Sequence, residues 1–201
     1  MNKYIFIHPT KCGGTSIRYY LLNNYSDYFI VKGHWRKFKK RDNGIIIVRD
    51  VKDRFYSMYK YWKYGSSDCK KHSRKIIDEN ITVLDFIKLI KENSEKLKTK
   101  YSSIEHVLPT FNWIEGQSTK NLIIIKYNKN LNNKIHKLLN YLNIPDKNIE
   151  LKKINISVVE KDNSFFKYDK EINEFIKIYY KKDFDLIEKI NNNPEEFKFV
   201  L

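Results

Sequence analysis

The run GIIIV, Gly44–Val48, carries no polar side chain and is bounded tightly by "DNG" before it and "RD" after it. A β-branched run this short and this apolar suits a strand buried on both faces, and such a strand belongs to a parallel sheet with helices above and below. "YIFI" (Tyr4 to Ile7), Tyr28 to Lys32 and "NLIIIKY" read as further strands. Helical patterns separate them. Thr15 to Asn23 is the first. "VKDRFYSMYKYWKY" follows, with an apolar stripe through Val51, Phe55, Met58, Tyr59 and Trp62. Thr82 to Leu97 opens on a capping box of Thr82 and Asp85. Asn128 to Leu142 is stopped before Pro145, and one long amphipathic helix runs from Lys170 to Ile190. The segment from Gly65 to Asp78 is polar and aperiodic and reads as an exposed loop. This alternation predicts a single three-layer α/β domain over residues 1–201 with a mainly parallel sheet.

A chain of 201 residues with 41% hydrophobic content is long enough to bury one sizeable core. Its 39 Lys and Arg against 24 Asp and Glu leave a net charge of +15, which points to an anionic partner: a nucleotide, an acidic polysaccharide, a nucleic acid or a membrane surface. No nucleic-acid-binding module is recognisable, so no specific nucleic acid is expected. Two cysteines, Cys12 and Cys69, are too few for a disulfide framework, and no Cys/His cluster has zinc spacing. The expectation is a protein without a metal. No window reaches the ~18 apolar residues of a membrane span, and the N-terminal apolar run is short. A cytoplasmic chain is therefore expected, its oligomeric state left open.

Two stretches carry chemistry. "FIHPTKCGGTSIRYYL", Phe6 to Leu21, is written as strand, loop and helix, the grammar of an anion site at a helix N-terminus. Gly13 and Gly14 allow close approach of backbone amides to a phosphate, and Lys11, Thr15 and Ser16 supply further donors. It is not a Walker A sequence, since Lys11 precedes the glycines. The same letters leave five residues between Cys12 and Arg18, the CxxxxxR spacing of tyrosine-phosphatase loops, in which a thiolate attacks phosphate. The second stretch, "IIIVRDVKDRFYSMYKYW", sets Arg49 at the end of a buried strand and Ser57 eight residues on, in the first turns of a helix. Both can then converge on the carboxyl edge of the sheet.

Taken together, "KCGGTS" resembles the KTGGTS loop, and "VRDVKDRFYSMYKY" the VRDPYDRFVSAYRY segment, of sulfotransferases that use 3'-phosphoadenosine 5'-phosphosulfate (PAPS), in the branch that modifies carbohydrates. "KGHWRK", "EHVLPTFNW", "NLIIIKYNKNL", "INIS" and "YYKKDFDLI" are similar, in order, to later segments of that family. This chain has an additional Thr10 before Lys11, Cys12 for the usual Thr, Val51 for the usual Pro and Tyr127 where a Glu is common.

The resemblance implies a P-loop-like phosphosulfate-binding loop in which Lys11, Cys12, Gly13, Gly14, Thr15 and Ser16 hold the 5' end of PAPS. Lys11 would also neutralise the leaving group. Arg49 and Ser57 would bind the 3'-phosphate, and His34 would be the general base that takes the proton from an acceptor hydroxyl. No metal is implied. The basic run that follows His34 suits an acidic glycan as acceptor, with a tyrosine or phenol as the alternative. Two other readings stay open at this point: a cysteine phosphatase or P-loop phosphotransferase built on Cys12 to Arg18, and a non-enzymatic nucleic-acid-binding protein.

Overall fold

In a computed structural model of the chain, residues 3–33, 37–64, 80–93, 104–152 and 169–201 are described. They form an α/β fold of one five-stranded sheet and six α-helices. The strands are β1 (Tyr4–Ile7), β2 (Phe29–Val31), β3 (Gly44–Val48), β4 (Leu122–Lys126) and β5 (Phe199–Val200). Every pairing is parallel and the spatial order is β2-β1-β3-β4-β5. The helices are α1 (Gly14–Asn24), α2 (Val51–Tyr64), α3 (Val83–Lys91), α4 (Leu131–Tyr141), α5 (Lys170–Tyr179) and α6 (Lys181–Asn192).

Register explains why the strands lack polar residues. Phe6 pairs with Ile45 and Ile45 with Ile123, and all three face a cluster with Ile17 and Leu21 of α1 and Ile135, Leu138 and Leu139 of α4. Their neighbours Ile7, Ile46 and Ile124 face the other way, against Trp113 and against Leu186 and Ile190 of α6. With apolar neighbours on both faces, a polar residue in β3 would be buried without a partner whichever way it pointed. Helices on both faces are consistent with three layers. A third cluster, built mainly from helices, joins Phe55, Tyr59 and Trp62 of α2 to Phe86 of α3 and Phe175 of α5.

The local signals fare unevenly. Asp85 N–H donates to the Thr82 hydroxyl, and the Asp85 carboxylate accepts from Thr82 N–H, so the capping box is present. The helix it opens ends at Lys91 rather than Leu97, with Asn93 left-handed behind it at φ 48°. The single helix read over Lys170 to Ile190 is two: α5 and α6 meet at Tyr180, whose φ and ψ of −102° and 24° break the line. Tyr180 is buried and its hydroxyl donates to the Val107 carbonyl at 2.7 Å. Periodicity did not show the break, because both helices keep an apolar stripe across it. β5 was not anticipated, being two residues long. The segment from Gly65 to Asp78 and the "INIS" stretch lie outside the described residues.

Candidate functional site

The sheet turns direction between β1 and β3: the chain leaves β1 for β2 on one side and returns with β3 on the other. In a doubly wound sheet the two loops at this point diverge and leave a crevice at the carboxyl ends of the strands. Here they are the loop from His8 to Gly13 and the turn through Arg49 and Asp50.

The first loop is pinned at Thr10, the residue additional to the family pattern. Thr10 is buried; its hydroxyl donates to the His106 carbonyl at 2.6 Å and its own carbonyl accepts from Arg54 Nε at 3.1 Å. Lys11 then turns into the left-handed region at φ 61°, which costs an L-residue about 1 kcal/mol. Gly13 repeats the turn at φ 75° and caps α1, which has no side-chain cap and no acidic residue in its first turn. The α1 N-terminus therefore carries its partial positive charge with no carboxylate of its own to offset it. Gly14 is demanded by packing, and Gly13 by its left-handed backbone. A Cβ on Gly14 would overlap the His8 ring, and one on Gly13 the Tyr127 ring. Thr15 is half-buried and Ser16 buried within that first turn.

Arg49 joins the second loop to the first. Its Nη1 donates to the Lys11 carbonyl at 2.8 Å, its Nη2 lies 3.4 Å from Asp53 Oδ2, and its guanidinium carbon sits 4.9 Å from the Tyr127 ring centre. The Nε is buried and makes no hydrogen bond. Asp53, Ser57 and Tyr61 follow at intervals of four along α2 and share one face. At the far end of that face the Lys11 ammonium lies 4.4 Å from the Tyr61 ring centre. Lys11 thus spans the face from Arg49 to Tyr61, with half-buried Ser57 between them. The structure sets Lys11 and Arg49 in direct contact, with Gly13 and Gly14 following Lys11 in its loop and Ser57 one turn beyond Asp53 on α2. His34 lies outside the described residues.

Beneath the crevice is a buried network that sequence reasoning missed. Arg54, 1% exposed, donates from Nη2 to the Leu108 carbonyl at 2.8 Å and to the Thr10 hydroxyl at 3.3 Å, and its Nη1 lies 3.6 Å from Asp183 Oδ2. Asp183, 2% exposed, accepts the Thr110 and Phe111 amides at 2.7 Å each. Burial pushes its carboxyl above the ordinary range, against the pull of Arg54 and the two amides. The signal was present, since Arg54 sits within the second motif and Asp183 within "YYKKDFDLI", but helical charges ordinarily read as solvated.

Cys12 is buried completely. Burial raises its thiol pKa although Arg54 and Arg49 pull the other way. Arg18, which a phosphatase loop would fold back over the thiolate, is exposed on α1. A neutral, enclosed thiol with its arginine facing outward weighs against a nucleophilic cysteine. Part of the basic run is engaged: Lys37 lies 3.4 Å from Glu115. Among the described residues no group of three or more His, Cys, Asp or Glu is placed to hold a metal, and no helix is long and apolar enough to cross a membrane.

No protein-family model, characterised protein or solved structure matches the chain.

Proposed function

We propose that the protein is a PAPS-dependent sulfotransferase of the carbohydrate-modifying kind, acting on a hydroxyl acceptor. The observation that carries this is the hydrogen bond from Arg49 to the Lys11 carbonyl, which places the two motifs of the family pattern side by side where a doubly wound sheet opens its crevice.

The residues fit a nucleotide with two separate anionic groups. The uncapped start of α1 and the Lys11 side chain suit a phosphosulfate, in a P-loop-like loop formed by Lys11, Cys12, Gly13, Gly14, Thr15 and Ser16. The buried Arg49 Nε, without a hydrogen bond of its own, and half-buried Ser57 suit a separate phosphate, here the 3'-phosphate. When bound, PAPS supplies the sulfuryl group, transferred by in-line displacement. The acceptor oxygen forms its bond to sulfur as the bond to the 5'-phosphate oxygen breaks, and adenosine 3',5'-bisphosphate (PAP) leaves. The transition state is loose, so positioning and charge neutralisation supply most of the catalysis. Lys11 neutralises the departing phosphate, and His34 takes the acceptor's proton. The residues assigned to these roles need no metal. The Lys and Arg that follow His34 favour an acidic glycan as acceptor.

The deciding experiment is a thermal shift series with PAP, AMP, ATP and inorganic phosphate. PAP should stabilise the protein far more than AMP, because only PAP carries the 3'-phosphate. Equal shifts for the two would refute the assignment.

A further inference from the structure

Lys11 is held at both ends. Its carbonyl takes the 2.8 Å hydrogen bond from Arg49, and its ammonium rests 4.4 Å from the centre of the Tyr61 ring. That separation lies inside the ~6 Å range over which an aromatic face attracts a cation. The ring is itself fixed. Tyr61 is half-buried and lies parallel to the His106 ring, with 7° between planes and 6.4 Å between centres, while Trp62 meets both rings edge-on. His106 is tied to the loop, because its carbonyl accepts the Thr10 hydroxyl at 2.6 Å. A closed circuit results: Thr10 to His106, His106 to Tyr61, Tyr61 to the Lys11 ammonium, and along the backbone to Thr10 again.

This arrangement answers a problem that a lysine creates. Its ammonium ends a four-carbon stem of many rotamers, and fixing it has an entropic cost each time it must meet an anion. An ammonium already resting on an aromatic face beside the anion site has met part of that cost. The contact stays weaker than one to a phosphate, so the lysine can leave the ring when an anion arrives. We propose that Tyr61 is the positioning residue of Lys11: its ring holds the ammonium over α2 until the leaving phosphate is in place. The inference rests on the sulfotransferase reading and adds to it a role for a residue outside the anion-binding set.

The test uses the full-length protein with its lysines reductively dimethylated with carbon-13, the Lys11 resonance being assigned from the Lys11→Arg variant. The Lys11 methyls should appear upfield through the ring current of Tyr61. They should stay upfield in Tyr61→Phe, move to the ordinary position in Tyr61→Leu, and leave the upfield position when PAP is added to the wild type. In turnover, Tyr61→Leu should lower kcat about tenfold with the donor KM within about threefold, and Tyr61→Phe should restore the rate. In a Lys11→Met background the Tyr61→Leu change should cost nothing more. PAP binding with an unshifted Lys11 resonance, or a Tyr61→Leu loss that persists without Lys11, overturns the role given to Tyr61 alone. Failure of the wild type to bind PAP overturns the sulfotransferase reading with it.

Discussion

Arg49, in the turn after β3, donates a 2.8 Å hydrogen bond to the carbonyl of Lys11, a residue thirty-eight positions earlier in the chain and itself in a left-handed conformation. One half-buried side chain therefore holds in place the loop that carries a second cation.

Arg49→Ala should remove most of the preference for PAP over AMP, at a cost of about 1.5–3 kcal/mol for a charge-assisted hydrogen bond. Titration calorimetry with both nucleotides measures this directly. Arg49→Lys should restore only part of the affinity, because an ammonium cannot serve a carbonyl and a phosphate with a planar fork. Unchanged PAP affinity in Arg49→Ala would remove Arg49 from the site.

Cys12 should be inert in the folded protein. With Cys69 replaced by Ser, iodoacetamide should label Cys12 only after denaturation, as mass spectrometry would show. Burial holds the folded thiol pKa above that of the unfolded chain, so both states are protonated at neutral pH and the full stability is present there. Above about pH 8.5 the unfolded thiol ionises first, and stability should fall as pH rises further. Cys12→Ser should lack that alkaline slope and keep PAP binding. Rapid native labelling at pH 7 would instead revive the nucleophilic reading.

Arg54→Met should be among the most damaging single changes, about 3–5 kcal/mol, because it strands the Asp183 carboxylate in the interior. Adding Asp183→Asn to Arg54→Met should recover part of that loss, which urea denaturation of the single and double variants would reveal. Strict additivity of the two changes would mean that the pair is not coupled.

His34→Ala should separate binding from chemistry. PAP affinity should hold while single-turnover sulfuryl transfer slows roughly 10²–10⁴-fold, the usual worth of a general base. The wild-type rate should fall as pH drops through the histidine's titration. A wild-type rate in His34→Ala, with chemistry limiting, would pass the role to another group.

What the sequence made legible was whatever is decided locally or by period. The strand Gly44–Val48 is found with those bounds, since an apolar run shut between turn residues leaves one outcome. Strand-loop-helix grammar at two places in one sheet put the Lys11 loop and Arg49 each after a strand, and both strands are there. The sequence hid decisions taken between distant residues. Tyr180 stands where the helix breaks and its hydroxyl meets Val107, a contact no helical period records. The sequence also does not show that a Cβ at Gly13 or Gly14 would meet the side chains of Tyr127 and His8, the first distant and the second at the end of the preceding strand. Thr10 looks like an interruption in a motif and anchors it, through partners 44 and 96 residues away.

The order of the strands also sets the order in which the molecule can assemble. Lys11, Arg49, Ser57 and Tyr61 all come from the segment that builds β1, α1, β3 and α2, and β1 reaches β3 across a modest length of chain. The pairings of Gly44 with Leu122 and of Ile123 with Phe199 each close a loop of more than seventy residues. Such distant pairings slow folding, because the entropy of closing them is lost before their contacts form. Until Phe199 and Val200 dock, β4 shows a row of unpaired amides and carbonyls to any other chain. The loops of Lys11 and Arg49 thus share a short stretch of chain, while the far edge of the sheet is where a refolding chain is exposed to its neighbours.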